Sequence, residues 1–133
     1  IRLSWTNRGM PAPFTYRLRA PEPDAPECDV TLSWNGRSIT VSALIDSGAG
    51  LTTIPASVIS SLSLQRVGDM FIRGAQGPRQ KRGLYRANIE FLGIAFDNHP
   101  VVELDRNEML VGRDILNKHR LLLDGPQLSF SLD

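Results

Sequence analysis

From Asp29 the chain falls into a two-residue rhythm. Val30, Leu32 and Trp34 alternate with Thr31 and Ser33. After Asn35-Gly36 the rhythm resumes, with Ile39, Val41 and Ala43 set against Thr40 and Ser42. This period places the apolar side chains on one face of a strand. Asn-Gly between two such runs predicts a two-residue hairpin, because both residues accept the left-handed backbone that the turn requires. Strands are also predicted over 67–72 and 84–96, separated by Arg73-Gly74-Ala75-Gln76-Gly77-Pro78, and again over 100–104. Asp124-Gly125-Pro126 reads as a turn before a last strand in which Leu128, Phe130 and Leu132 alternate. Short helical stretches are expected over 55–64 and 113–118. Many short strands with one or two small helices predict an all-β, barrel-like domain. No internal repeat is present.

The 133 residues suffice for a single hydrophobic core. Five of the nine prolines, Pro11, Pro13, Pro21, Pro23 and Pro26, fall in the first 26 residues. Residues 1–27 therefore read as a Pro-rich arm or linker, ordered where Trp5, Phe14, Tyr16 or Leu18 find a surface, with one strand expected over 14–19. Residues 28–133 read as the domain proper. A 41% apolar and 22% charged composition is that of a globular protein. No apolar run approaches the roughly 20 residues that cross a bilayer, so a membrane is not indicated within this chain. No leader resembles a signal peptide. The chain begins at Ile1 rather than Met, which suggests a fragment or processed product and leaves an upstream leader or anchor open. Cys28 is the single cysteine, so no internal disulfide forms, and Glu27 and Asp29 beside it disfavour a nucleophilic thiolate. A net charge of +1 gives no global reason to expect nucleic acid.

The chemistry centres on Ala43-Leu44-Ile45-Asp46-Ser47-Gly48-Ala49. An apolar strand delivers one carboxylate, one hydroxyl and a glycine into a turn. The strand fixes Asp46 in space, Ser47 can lock the turn, and Gly48 permits a tight path and close approach of a substrate or second chain. Asp-Ser-Gly is also ordinary turn chemistry, so the tripeptide alone decides little. Its surroundings add weight. Ala49-Gly50-Leu51-Thr52-Thr53-Ile54-Pro55 follows it, Met109-Leu110-Val111-Gly112-Arg113-Asp114-Ile115-Leu116 comes some sixty residues later, and Gln127-Leu128-Ser129-Phe130 lies near the end.

In this order and spacing, these segments resemble the retropepsin family, the single-domain aspartic proteases of retroviruses and their cellular relatives. The resemblance runs from Asp29 to Phe130. It implies an all-β, retropepsin-like acid-protease barrel with one short C-terminal helix, working as a homodimer. It implies that Asp46 is catalytic and that Ser47, Gly48 and Ala49 support its loop. Ile72, Arg73, Gly74, Ala75, Gln76 and Gly77 would form a flap over a polypeptide substrate, and Gly112, Arg113 and Asp114 a structural brace. In the family the glycine of that brace passes close behind the catalytic loop. Many viral members carry an acid just after the loop that partners the arginine. This chain has Gly50 and Leu51 there, so Arg113 is expected to find a backbone carbonyl or a carboxylate elsewhere.

Peptide hydrolysis by this route needs two carboxylates sharing one proton. Only one Asp-Ser-Gly is present, and Asp124-Gly125-Pro126 reads as a turn. A dyad therefore needs two chains with their Asp46 loops facing across a two-fold axis. The expected activity is that of an aspartic endopeptidase with no metal or organic cofactor. The alternative is a catalytically silent homodimerisation or peptide-binding module of the same fold. The predicted flap is basic, with Arg73, Arg79, Lys81, Arg82 and Arg86, and either forms a solvated ribbon or favours acidic substrates. Sparse aromatics there argue against nucleic acid. His99 and His119 are isolated in sequence and are expected at the surface or as caps rather than as metal ligands. Gly48-Ala49-Gly50 lacks the third glycine of a dinucleotide fingerprint. No nucleophile-elbow pattern supports a serine triad.

Overall fold

The computed structural model describes residues 9–73 and 77–133. Three short strands come first: β1 (Phe14–Thr15), β2 (Arg17–Arg19) and β3 (Glu22–Ala25). The predicted hairpin follows as β4 (Glu27–Trp34) and β5 (Arg37–Ile45), paired in register from Glu27–Leu44 to Trp34–Arg37. Its turn has φ of 53° at Asn35 and 73° at Gly36, the two left-handed residues that an Asn-Gly hairpin demands. Next come β6 (Thr53–Ile54), α1 (Ala56–Leu62), β7 (Gly68–Ile72), β8 (Gln80–Phe91) and β9 (Ile94–Glu103). The chain closes with β10 (Met109–Val111), α2 (Arg113–Leu116), β11 (Leu121–Asp124) and β12 (Ser129–Leu132). Both helices fall within the two stretches expected to be helical, and α2 is the short C-terminal one.

Six strands close on themselves in the order β4-β5-β10-β6-β9-β8, with β8 returning to β4 through Leu32–Ile89. Closure leaves no free edge inside the barrel. Its interior is filled by side chains with no measurable exposure, among them Val30, Leu32, Ala43, Ile54, Val101, Met109 and Val111. β7 lies outside the ring, paired with β8 alone. Cys28 sits on β4 opposite Ala43, only 5% exposed. Burial pushes its thiol up to about 11.

β8 and β9 depart from the predicted strands. A two-residue turn at Leu92-Gly93, with φ of 51° and 77°, divides what reads as one strand over 84–96. Further on, Asn98 adopts φ of 52° where the β8–β9 register slips between Ala87 and Ile89, a β-bulge. The bulge changes which side chains point inward. Before it the more buried positions are Ile94 and Phe96; after it they are His99 and Val101.

The N-terminal segment is paired into the fold from Phe14. β1 lies against β12, Phe14 opposite Phe130, and both Phe14 and Tyr16 pack on the Phe130 ring. Arg19 joins two barrel elements: it donates to Glu27 on β4 and twice to Glu108 before β10, at 2.8 and 3.1 Å. The shared guanidinium pulls Glu108 down to about 2, while burial pushes Glu27 up. Leu18 is 79% exposed, and Trp5 lies outside the described residues. Of the three apolar residues expected to alternate at the C-terminal end, Phe130 and Leu132 are core, whereas Leu128 turns outward with φ of 49°.

Candidate active site

The barrel positions Asp46 through its backbone. β5 ends at Ile45, and β10 runs parallel beside it, Val111 against Ile45. The Asp46 N–H donates to the Val111 carbonyl at 3.0 Å, so the β10 ladder continues into the loop. The turn then closes on itself. Ala49 N–H donates to the Asp46 carbonyl at 3.1 Å, and Gly48 N–H donates to Asp46 Oδ1 at 2.9 Å. One carboxylate oxygen is thereby oriented by the main chain, and Asp46 is half-buried. Ser47 is exposed, and its hydroxyl makes no hydrogen bond among the described residues.

Behind the loop, Gly112, Arg113 and Asp114 make three different contacts. A Cβ on Gly112 would lie 2.6 Å from the Leu51 carbonyl carbon and oxygen and 3.0 Å from the Ala49 oxygen, so only glycine lets the two backbones touch. Arg113 finds a backbone acceptor. Its Nη1 donates to the Ser47 carbonyl at 2.8 Å, and its N–H to the Ala49 carbonyl at 2.9 Å. Asp114 is the hub. It accepts Thr52 N–H at 3.1 Å, the Thr52 hydroxyl at 2.7 Å and its neighbour Ile115 N–H at 3.0 Å. His99 Nε2 lies 3.0 Å from Oδ2, the oxygen that also accepts the Thr52 N–H. Burial alone would raise the Asp114 carboxyl, but the His99 and Thr52 hydrogen bonds together hold it below the usual range.

Thr52 and His99 were not singled out as site residues from the sequence. Thr52 is fully buried, and its oxygen also accepts the Gly112 N–H at 3.2 Å. His99 was expected at the surface or as a cap. It is instead 7% exposed, set edge-on to Phe96 and bonded to Asp114. The bulge at Asn98 turns it inward, and no residue-type pattern announces a bulge. Thr52 had one available signal, an apolar-flanked Thr-Thr pair directly after the loop.

A cleft of about 660 Å³ opens above the loop. Its floor is Asp46 with residues 48–51 and Thr53. Ile72, Arg73, Pro78 and Gln80 of the β7–β8 hairpin form one wall, and Leu104, Arg106 and Leu110 form another. Of the residues expected in a flap, Ile72 and Arg73 line the cleft, Gly77 is exposed nearby, and Gly74, Ala75 and Gln76 lie outside the described residues. A separate cavity of about 240 Å³ lies between residues 10–13 and β12, away from this chemistry. No cluster of three His, Cys, Asp or Glu side chains suited to a metal occurs among the described residues.

Comparisons with known proteins agree with this architecture. A family model described as "gag-polyprotein putative aspartyl protease" matches residues 30–118, from β4 beyond α2. No curated protein sequence matches the chain. Among solved structures, a retropepsin-like aspartic protease from Rickettsia conorii is similar, with a TM-score of 0.62 at 13% identity, over 91% of this chain and 89% of that one. The EIAV protease, solved with the inhibitor HBY-793, is similar with a TM-score of 0.53 at 18% identity, over 77% of this chain and 93% of that one. A foamy viral protease-reverse transcriptase, solved with an RNA/DNA hybrid, aligns with a TM-score of 0.52 at 13% identity over 69% of this chain and 12% of its own. The matched segment contains the closed barrel apart from the first three residues of β4, the Asp46 loop and the Gly112 contact behind it, and the chain belongs to this family of retropepsin-like aspartyl proteases.

Proposed function

We propose that the protein is an aspartic endopeptidase whose catalytic dyad is Asp46 paired with Asp46 of a second copy. One observation carries this reading: the Asp46 carboxylate sits on the floor of a peptide-sized cleft, in a loop hydrogen-bonded to β10 and α2. One carboxylate per chain cannot act as both acid and base. Two copies related by a two-fold axis supply the pair, which holds one proton because two adjacent carboxylates do not both ionise. The ionised member takes a proton from a bound water. That water attacks the scissile carbonyl, and the protonated member donates to the carbonyl oxygen. The resulting tetrahedral intermediate collapses with protonation of the leaving amine. Ser47, Gly48 and Ala49 support the loop, and the outward Ser47 hydroxyl is available to the facing copy. The β7–β8 hairpin covers the substrate as a flap, and Gly112, Arg113 and Asp114 brace the floor. We assign residues 28–133 to the protease domain, with residues 1–27 as an N-terminal arm.

The test is a peptide-library digest at several pH values, run beside Asp46→Ala and repeated on dilution. Cleavage should follow a bell-shaped pH profile, vanish in the variant with its circular dichroism unchanged, and fall faster than linearly as the dimer dissociates. Residual cleavage by purified Asp46→Ala, or constant specific activity in a range where sedimentation shows only monomer, would overturn the dyad. A well-folded dimer that binds peptide without cutting it would instead mark a silent peptide-binding module.

A further inference from the structure

The cations around the cleft divide into two groups. Arg79 lies over the Phe71 ring at 5.1 Å, and Lys81 pairs with Asp69 at 3.4 Å. Arg82 donates to Gln80 at 2.6 Å and Arg86 to the Asn98 carbonyl at 2.7 Å. None of these four lines the cleft; each is engaged with a neighbour. Arg73 and Arg106 do line it, from the β7–β8 hairpin and from the loop between β9 and β10. Arg73 is exposed and has no carboxylate within ion-pair distance among the described residues. Arg106 donates from Nη2 to Glu108 at 2.6 Å, but Glu108 is shared with Arg19. A guanidinium carries five N–H donors, so Arg106 retains most of its capacity. Among the described residues, Asp46 is the only carboxylate lining the cleft.

We infer that Arg73 and Arg106 form an acidic-residue subsite, so that the polypeptides this cleft takes carry Glu or Asp close to the bond cut. This rests on the endopeptidase reading for the cutting but not for the binding. A guanidinium matches a carboxylate in charge and in fork geometry, and a partly enclosed cleft screens the pair less than open water does. Aliphatic Leu104, Leu110 and Ile72 beside the two arginines accept apolar side chains, which leaves the flanking positions to the charges. The preferred segment is therefore apolar at its centre and acidic at its flanks.

The experiment uses two fluorescein-labelled statine peptides, identical except for Glu or Gln on either side of an apolar centre, with binding followed by anisotropy. The Glu probe should bind about tenfold more tightly at low salt, the size of one charge-assisted hydrogen bond, and the ratio should shrink as salt rises. Arg73→Gln and Arg106→Gln should each reduce the ratio, whereas Arg86→Gln on the outer face should preserve it. Arg73→Glu should shift preference toward a Lys-flanked probe. Equal affinity for the Glu and Gln probes, or an unchanged ratio in the Arg73→Gln/Arg106→Gln double variant, would overturn the subsite while leaving the protease reading intact. Selective binding of the Glu probe by a protein that cuts no peptide would overturn the protease reading and keep the subsite. No binding of either probe would overturn the subsite.

Discussion

The floor of the cleft and its hairpin-side wall are held by different means. The floor around Asp46 is tied by backbone and side-chain bonds to β10 and α2, with Thr52, Asp114 and His99 linked behind it. The opposing wall is the β7–β8 hairpin, whose outer strand has a single pairing partner. Val67, just before that strand, and Phe71 on it are 58% and 55% exposed, and Arg79 lies over the Phe71 ring. Reactive groups gain from being fixed before substrate arrives, and a wall that admits a polypeptide gains from giving way. Under the proposed endopeptidase reading, the tied floor would fix the reactive group and the singly paired hairpin would give way to the substrate.

Four substitutions would break or sharpen this contrast. Gly112→Ala should have the largest effect, because the new Cβ meets Leu51 backbone that cannot swing aside. A loss of about 3 kcal/mol in urea unfolding is expected, the upper range of overpacking. A variant as stable as the parent would mean that the floor is not held as rigidly as described. Thr52→Val keeps the shape but strands the Gly112 N–H and leaves Asp114 Oδ1 with the Ile115 N–H alone. It should cost about 2 kcal/mol, and a double-mutant cycle with His99→Gln should show coupling of the two through Asp114.

Acid unfolding probes the same side of the molecule more gently. Glu108 and Asp114 are both depressed in the fold, so they stabilise it above the ordinary carboxylate range, and that contribution is lost as pH falls, for Glu108 through about 2. Glu27 is raised and acts with the opposite sign: its contribution is present at low pH and is lost as pH rises. The net effect of Glu108→Gln should therefore be only about 1 kcal/mol, seen as a shallower loss of stability below pH ~4.5. A slope identical to the parent's would remove Glu108 from the account. The smallest change belongs to the hairpin side, where Arg79→Ala should cost no more than about 1 kcal/mol, the scale of an exposed cation–π contact. A loss as large as that of Thr52→Val would erase the difference between the two walls.

Legibility followed the same division. The β4–β5 hairpin could be read because Asn35-Gly36 is turn chemistry with a backbone reason, and the loop position of Asp46 follows from the strand that ends beside it. The turn at Leu92-Gly93 could not, since leucine is not a turn former; it is held left-handed while its side chain packs on the core. The Asn98 bulge reversed the inward face within a single strand, and His99 was misassigned for that reason. Alternation at Phe130 and Leu132 marks a buried face without saying what buries it. Within one chain the answer is the core beneath β1 and β11. The acceptor for Arg113 was narrowed only to a class, because every residue offers a carbonyl and none advertises which.

Cys28 gives the protein a built-in chemical clock. Its sulfur is the only thiol in the chain, shut inside β4 against the strand that leads to Asp46. An alkylating reagent can reach it only when that pair of strands parts, so the labelling rate counts openings of the hairpin beneath the aspartate. A ligand that seats on the floor should slow labelling in proportion to its occupancy. One unmodified side chain thereby converts binding in the cleft into a mass shift, with no substrate, turnover or engineered probe.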